Sequence, residues 1–274
     1  MTEGVSRTAL NVAAHRARET ERAGALFIDP FARQLASREG FATAAEIARL
    51  SGLSWQDSTP TMFALRTRYF DDAVLDAVRQ DDVRQVIILG AGMDTRAYRI
   101  DWPEGTQLYE VDRRETFDHK RPILDSRGAR PRCALHDVCA DLRDDWEGLL
   151  LAAGFAPGAA TVWLVEGLLY YLPEPDVHRL LDQLAALCPS GSWLLLDVAH
   201  TMMRDLPALQ GWRDALIALG EPFRSFTDDG CALLDAHGWV ADARSIAQVA
   251  RDLGCEVEAV GSLAVPRLLC GRRR

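Results

Sequence analysis

The sequence predicts a Rossmann-like α/β fold: a doubly wound, seven-stranded, mostly parallel sheet with an N-terminal helical cap and a lid insertion after the fifth strand. Three observations predict it. From Val83 onward, short β-rich runs alternate with amphipathic helices, which is the pattern of a parallel sheet covered on both faces. A glycine turn follows the first run, and an acidic residue ends the second. Ligands of doubly wound sheets bind at such strand ends.

Helical periodicity dominates the roughly eighty residues before the first strand. Residues 6–23 predict a helix, a second one follows the turn at Asp29 and Pro30, and residues 43–51 and 61–80 predict two more. The first helix carries an apolar stripe made of Leu10, Ala13, Ala14 and Ala17. This is more helix than a bare nucleotide-binding sheet requires, so we expect a cap over the site.

The alternation after the cap predicts seven strands. The first five are expected at 84–89, 107–112, 131–135, 161–166 and 192–198, with helices near 113–126, 142–153 and 175–188. Residues 201–220 interrupt the pattern. A helix at 228–237, a strand at 239–244, a short helix near 246–253 and a strand at 264–270 then follow, and the arginines at 272–274 are expected to form a solvated tail.

No Pro/Gly/Ser-rich linker divides the chain, so we expect one domain covering residues 1–274. Within it we assign the cap to residues 1–82, a cofactor-binding core to 83–200, the lid insertion to 201–227 and the rest of the sheet to 228–274.

Composition excludes several classes of function. The net charge of -9 argues against a nucleic-acid partner, which would require a basic face. The only lysine, Lys120, belongs to no P-loop signature. The six cysteines include no C-x-x-C pair, so we expect no metal site. Because no signal pattern and no run of eighteen apolar residues occurs, we expect a cytoplasmic protein without a membrane partner.

The glycine turn and the acid that follows it predict a nucleoside-bearing cofactor. Gly90, Ala91 and Gly92 follow a buried run, and Asp112 ends the next run twenty residues after Gly92. Glycine lets the backbone turn sharply and approach a ligand closely. A carboxylate at the neighbouring strand tip accepts hydrogen bonds from ribose hydroxyls.

The details of the turn favour S-adenosylmethionine over a nicotinamide dinucleotide. The dinucleotide fingerprint requires glycine or alanine at its third place, whereas this sequence has Thr95. S-adenosylmethionine has no pyrophosphate and requires only a close backbone approach. Two alternatives stay open at this point, a nicotinamide-dependent oxidoreductase and a glycine turn that merely joins a strand to a helix.

The ordered motifs of the chain resemble those of the leucine carboxyl methyltransferase-like family of class I S-adenosylmethionine-dependent methyltransferases, and specifically its bacterial branch. The resemblance covers most of the chain. It rests on SRTALNVAA at 6–14, DPF at 29–31, RTRYFDD at 66–72, LGAGMDTR at 89–96, EVD at 110–112, DLRDDW at 141–146 and EGLLYYL at 166–172.

The resemblance implies a role for each part of the cofactor site. Gly90, Ala91 and Gly92 would pass beneath the methionine part, and Asp112 would hold the ribose. Asp141 and Leu142 would bind the adenine. His136 and Asp137, at the end of the predicted third strand, are a competing adenine site, and a helix N-cap is the alternative role for Asp141.

Charged residues are expected to hold the amino-acid end of S-adenosylmethionine. Glu166 closes the fourth strand, near the expected place of the amino group and the sulfonium, and an ion pair with an arginine is its alternative role. Arg66 and Arg68 are candidates for the cofactor carboxylate. They point about 200° apart on a helix, so only one of them readily faces the site. Arg66 is preferred, and Arg16 is a more distant candidate.

Family members methylate carboxyl groups, which are ionised at neutral pH and require no base. We therefore expect a small-molecule acid, hydrophobic or aromatic, to be methylated with release of S-adenosylhomocysteine. A hydroxyl acceptor would require a base, for which His200 is the candidate. Another alternative is a cofactor-binding protein without turnover. Residues expected to contact the acceptor are Tyr170, Met202, Met203 and Trp212.

Overall fold

The computed structural model describes residues 4–52, 60–255 and 266–274. In that part of the chain one sheet contains strands β1 (Gln85–Leu89), β2 (Gln107–Asp112), β3 (Ala134–Cys139), β4 (Thr161–Val165), β5 (Trp193–Val198), β6 (Trp239–Ser245) and β7 (Arg267–Arg273). Their order is β3-β2-β1-β4-β5-β7-β6. Strands β1 to β5 are parallel, and β7 runs antiparallel to both β5 and β6. The predicted seven-stranded, mostly parallel sheet is therefore confirmed.

Apolar residues that alternate along the central strands build a core on each face of the sheet. In β1, Val86 and Ile88 belong to one apolar cluster, and Ile87 and Leu89 belong to the other. Helices cover both clusters, as a parallel sheet requires. These helices include α4 (Arg96–Arg99), α5 (Arg114–Ser126), α6 (Trp146–Ala152), α7 (Glu174–Ala186), α10 (Gly230–Asp235) and α11 (Ile246–Asp252). In the ranges described, no helix has the length and apolar content needed to cross a membrane.

Three helices precede the sheet: α1 (Arg7–Glu21), α2 (Ala32–Ser51) and α3 (Met62–Gln80). The predicted stripe of α1 is buried throughout, with Leu10, Ala13 and Ala14 fully inaccessible. Helix α2 replaces the two helices predicted for this region, and it bends at Ser37, where φ is +54°. Gly40 lets α1 and α2 cross closely, because a Cβ atom there would collide with the carbonyl oxygen of Leu10.

The third strand is longer and lies later in the chain than predicted. It covers Ala134–Cys139, so that His136 and Asp137 lie within the strand and not after it. His136 hydrogen-bonds Gln107 at 2.9 Å and stacks on Tyr109. Since β3 is an edge strand with one neighbour, it tolerates polar residues that hide its strand pattern in the sequence.

The last strand also differs from the prediction, which ended it at residue 270. Arg272 and Arg273 are paired in β7 with Trp193 and with Trp239 respectively. The guanidinium of Arg272 lies over the Trp193 ring, with 4.2 Å to the ring centroid. These arginines are therefore not a frayed tail, because their aliphatic stems and planar heads cover tryptophans. Residues 264 and 265 of the predicted strand lie outside the described residues.

Residues 201–227, which we call the insertion, follow β5. They contain α8 (Thr201–Asp205), a 3-10 turn at Pro207–Leu209 and α9 (Gln210–Ala218). Its apolar side chains pack with Tyr170 and Tyr171 in a third apolar cluster. On its other side, α9 packs directly against the end of α2, because Gly211 lies against the carbonyl oxygen of Leu50. The insertion and the N-terminal helices thus meet.

Replacing Gly211 by alanine is expected to push α9 away from α2. The added Cβ would meet backbone atoms of Leu50 and Ser51, which cannot move aside as a flexible side chain could. Overpacking of this kind costs about 1–3 kcal/mol, or roughly 2–4 °C of thermal midpoint for each kcal/mol. Differential scanning calorimetry measures the shift. Gly158→Ala is the control, because a Cβ there meets nothing within 4 Å. Equal midpoints for the two variants would contradict the close packing.

Candidate functional site

A cavity of about 830 Å³ opens at the carboxyl ends of β1, β2 and β4, beneath α1 and the insertion. This position coincides with the reversal of strand order between β1 and β4, where doubly wound sheets bind ligands. The volume lies in the upper part of the usual range for small-molecule sites. Residues from the glycine turn, α1, α3 and the insertion line the same cavity.

The glycine turn forms the floor of the cavity. Gly90 and Gly92 have φ values of +63° and +50°, a region that side chains with a Cβ rarely adopt. A Cβ at Gly90 would lie 3.1 Å from Cδ1 of Leu168, and one at Gly92 would lie 3.3 Å from Cβ of Ala9. Both glycines are therefore required by conformation and by space. Ala91 lies between them and also lines the cavity.

Asp112 supports this turn from the tip of β2. Its Oδ2 accepts a hydrogen bond from the N–H of Gly92 at 2.7 Å. Its Oδ1 accepts from the N–H of Arg113 at 2.7 Å and from the hydroxyl of Thr116 at 2.9 Å. A carboxylate has about four acceptor positions, so these three bonds leave room for a ligand hydroxyl. Asp112 also lines the cavity.

Glu166 follows β4 and bridges two arginines. One carboxylate oxygen accepts from Nε of Arg66 at 2.9 Å, and the other accepts from Nη2 of Arg96 at 2.7 Å. Burial alone would raise the pKa of Glu166, but the charges of Arg96 and Arg66 outweigh it and leave the pKa below its ordinary value. The ion pair with arginine, the alternative role for Glu166, is thus present in this structure.

Arg66 connects Glu166 to the residues that pack against the insertion. Its Nη1 donates to Oδ2 of Asp197 at 2.9 Å and to the hydroxyl of Tyr170 at 2.9 Å. The Tyr170 ring stacks on Phe223 with a centroid separation of 4.0 Å. Burial raises the pKa of Asp197 despite the nearby Arg66 charge. Asp197 was not predicted from the sequence, although an acid inside the apolar run of β5 resembles the pattern at Asp112.

Arg96 is the second residue that the sequence analysis left without a role. It is 2 % exposed and pairs with Asp71, with Asp94 and with Glu166. Burial alone would raise the pKa of Asp94, but four positive groups, Arg96 first among them, lower it to about 2. Arg96 therefore binds the glycine turn, α3 and β4 together. Arg96 is the last residue of the LGAGMDTR motif at 89–96.

The three arginines considered for binding a ligand carboxylate differ in whether they line the cavity. Arg16 and Arg66 line the cavity, whereas Arg68 does not. Arg68 pairs with Asp72 at 2.8 Å and donates to the carbonyl of Leu26 at 2.9 Å. Arg16 pairs with Asp29 at 2.9 Å and donates to the carbonyl of Met93, next to the glycine turn. The expectation that only one of Arg66 and Arg68 faces the site agrees with this placement.

Asp141 and Leu142 follow β3 at the rim and are not among the cavity-lining residues. Asp141 accepts from Nε of Arg143 at 2.9 Å, and this bond is the main reason that its pKa falls to about 2. Arg143 itself lines the cavity. Asp141 is not the helix N-cap considered as its alternative role, because α6 begins after Asp145, whose side chain accepts from the N–H of Gly148.

Three of the four residues predicted to contact the acceptor line the cavity. Tyr170, Met203 and Trp212 line the cavity, and Met202 does not. His200 does not line it either. The Nδ1 atom of His200 accepts from the N–H of Met202 at 3.2 Å and so caps α8. This position gives no support to His200 as a general base.

His15, which the sequence analysis passed over, is the histidine that lines the cavity; all six histidines of the chain are described. Its ring lies 4.6 Å from the Phe63 ring, measured between centroids. Its depth in the protein lowers its pKa to about 3, and the charges of Arg18 and Arg66 add to this effect. The available signal was its place beside the buried stripe of α1.

Comparison with known proteins gives consistent results. A profile named leucine carboxyl methyltransferase matches residues 9–185. A Streptomyces avermitilis protein is 39 % identical over 260 residues, covering 92 % of this chain and 88 % of that protein. A Mycobacterium bovis protein is 41 % identical over 265 residues, covering 87 % of this chain and 81 % of that protein. Both names read "Putative S-adenosyl-L-methionine-dependent methyltransferase".

Solved structures share the fold at low sequence identity. A DUF574 family protein from Streptomyces avermitilis superposes with a TM-score of 0.62 at 14 % identity, covering 86 % of this chain and 91 % of that one. Magnesium protoporphyrin IX methyltransferase from Synechocystis, solved with bound S-adenosylhomocysteine, superposes with a TM-score of 0.51 at 13 % identity. The superposition covers 88 % of this chain and 97 % of that one.

Proposed function

Because the chain belongs to the leucine carboxyl methyltransferase family of S-adenosylmethionine-dependent methyltransferases, we propose that it methylates the carboxylate of a small apolar or aromatic acid. The observation that carries the proposal is a single cavity that joins a glycine turn and Asp112 to an aromatic chamber. When bound, S-adenosylmethionine supplies a methyl group on a positively charged sulfur and leaves as S-adenosylhomocysteine.

The floor of the cavity fits this cofactor. The positive φ values of Gly90 and Gly92 bring bare backbone to the cavity surface, and Asp112 keeps acceptor capacity for ribose hydroxyls. In the proposed site Arg16 and Arg66 hold the cofactor carboxylate, since both line the cavity. The adenine role of Asp141 and Leu142 is retained from the family pattern.

The acceptor chemistry favours a carboxylate. An ionised acid needs no proton removed, whereas a phenol or alcohol needs a base poised near neutral pH. The histidine that lines the cavity, His15, has a pKa of about 3 and is a weak base. The Glu166 carboxylate is bound by two arginines, which reduces its basicity further. A hydroxyl acceptor therefore has less support here.

The walls of the acceptor side favour an apolar body on that acid. Phe63, Met203, Trp212 and Phe223 line the cavity, with Arg18 among them. Aromatic walls bury a flat apolar ligand, and cations attract its carboxylate. A small molecule matches this cavity, which residues of the insertion and of α1 line from two sides. A cytoplasmic location is retained in the proposal.

The two rival functions fit the structure less well than methyl transfer does. A dinucleotide pyrophosphate requires a helix N-terminus after the glycine turn. Here that helix, α4, is a single turn of four residues, and the sheet contains an antiparallel strand absent from the dinucleotide-binding order. A protein without turnover would have no need for the continuous acceptor chamber.

Ligand-dependent unfolding and product analysis test the proposal. S-adenosylhomocysteine at a hundredfold excess over its dissociation constant is expected to stabilise the fold by about 2.7 kcal/mol, because it binds the native state alone. NAD and NADP should give no shift in the same calorimetric scan. Transfer from methyl-labelled S-adenosylmethionine to a panel of acids and phenols is then measured by mass spectrometry. Stabilisation by NAD, or labelled ethers without labelled esters, would contradict the proposal.

A further inference from the structure

Helix α1 presents polar side chains to the cavity that the proposed cofactor site does not use. Asn11 and His15 stand four residues apart, so their side chains are neighbours on one face of the helix. Both line the cavity. The adjacent stripe of Leu10, Ala13 and Ala14 is buried in the core and holds this face in place.

Asn11 destabilises the folded protein at its position in α1. It is the only asparagine in the 274-residue sequence, and it occupies the interior of a helix, where asparagine is a poor former. Its side chain is buried, at 4 % exposure, and its Oδ1 has no hydrogen-bond partner among the described residues. Buried polar atoms in native proteins are normally satisfied, so an orphaned one at a cavity wall indicates a ligand group as the missing partner.

His15 connects this position to the cofactor end. Its ring contacts Phe63, and the guanidinium of Arg66 lies over the Phe63 ring at 5.4 Å from the centroid. Arg66 in turn binds Glu166. A neutral imidazole, which the pKa of about 3 ensures, has one donor and one acceptor nitrogen. Oδ1 of Asn11 thus offers an acceptor to an uncharged donor group at this wall of the cavity, with the His15 ring beside it.

We propose that Asn11 and His15 recognise a hydroxyl group on the ring of an aromatic carboxylic acid, while Phe63 and Trp212 enclose the ring. The hydroxyl donates to Oδ1 of Asn11. A hydroxyl is the group chosen because Oδ1 requires a hydrogen-bond donor, which a hydroxyl on an aromatic ring supplies. This inference rests on the proposed function and narrows its acceptor to hydroxylated aryl acids.

The test compares matched acids with and without the hydroxyl. Wild type is assayed with benzoic against 3- and 4-hydroxybenzoic acid, and with phenylacetic against 4-hydroxyphenylacetic acid, under saturating S-adenosylmethionine, and mass spectrometry locates the methyl group. A hydroxylated acid is expected to have at least tenfold higher kcat/KM than its matched parent, since a site built to bind a hydroxyl discriminates strongly against its loss. In Asn11→Leu and His15→Phe this ratio should fall below threefold.

Stability and cofactor affinity separate recognition from a structural role. Asn11→Leu keeps the side-chain size and removes the orphaned oxygen, so its thermal midpoint should equal or exceed that of wild type. Its Kd for S-adenosylhomocysteine, measured by titration calorimetry, should stay within twofold. His178→Phe, a histidine on α7 outside the cavity, is the control and should retain the wild-type ratio.

Each contrary result has a distinct meaning. Equal kcat/KM for the paired acids in wild type, or an unchanged ratio in both variants, overturns the inference and leaves the proposed function standing. A lower midpoint or a weaker Kd in Asn11→Leu overturns it in favour of a structural or cofactor role. Transfer to no acid, with S-adenosylhomocysteine still bound, overturns the proposed carboxylate acceptor and the inference together.

Discussion

Replacing Asp112 by asparagine is expected to weaken the binding of S-adenosylhomocysteine about 10- to 100-fold, because a hydrogen bond to a charged group contributes about 1.5–3 kcal/mol. Both carboxylate oxygens already accept protein N–H groups, from Gly92 and from Arg113. Whichever way the amide turns, its NH₂ group faces one of these donors. The substitution therefore also disturbs the turn that the cofactor is proposed to cover.

Titration calorimetry on folded protein measures this loss. Asp137→Asn is the matched control, since Asp137 lies on the neighbouring strand β3, binds Arg121 and does not line the cavity. The control should retain wild-type affinity. If Asp112→Asn bound S-adenosylhomocysteine as wild type does, the ribose role of Asp112 would be refuted, while the family assignment would be unaffected.

Replacing Arg96 by methionine is expected to have the largest effect on stability, a loss of about 3–5 kcal/mol. The guanidinium is fully buried and neutralises carboxylates on three separate elements: Asp71, Asp94 and Glu166. Methionine fills a similar volume but leaves these acids short of one positive charge. Such a loss is a large part of the total stability of a typical domain.

Guanidinium chloride unfolding followed by circular dichroism measures the difference. Arg132→Met is the control, because the Arg132–Asp101 pair is exposed and such pairs contribute less than about 1 kcal/mol. The effect also has a pH signature. The lowered pKa of Asp94, about 2, stabilises the fold above the unfolded value near 3.9, and this stabilisation is lost as the pH falls toward 2. Similar midpoints for the two arginine variants would contradict the network.

Five strands agree with their predicted bounds within one residue: β1, β2, β4, β5 and the edge strand β6. Strands β1, β4 and β5 are continuous apolar runs, because helices cover them on either side, and their predicted bounds agree with the structure within one residue. Strand β3 at one edge and the arginine-containing end of β7 were misplaced. In both, side chains on the exposed side are free to be polar, so the apolar signal that marks a strand is missing.

Among the residues of the site, those whose position depends on local sequence were predicted, and those that depend on distant partners were not. Gly90, Gly92 and Asp112 were identified because their roles depend on local backbone conformation and on their place at a strand tip. Arg96 and His15 were not, since each acts through partners far away in the chain. The Arg96 guanidinium meets Glu166 seventy residues later, and His15 meets Phe63 only because α1 and α3 pack together.

The order of apolar runs, glycines and strand-end acids was enough to predict the seven-stranded α/β sheet and the position of the cavity floor, and the ordered motifs were enough to indicate the family. The backbone conformation that such features require is set by a few neighbouring residues. The tertiary structure alone decided which arginines face the cavity, that His200 is a helix cap, and that Asn11 and His15 line one wall of the cavity. These outcomes depend on how helix faces turn when they pack, and a side chain's direction in space is a property of the assembled core rather than of its neighbours in sequence.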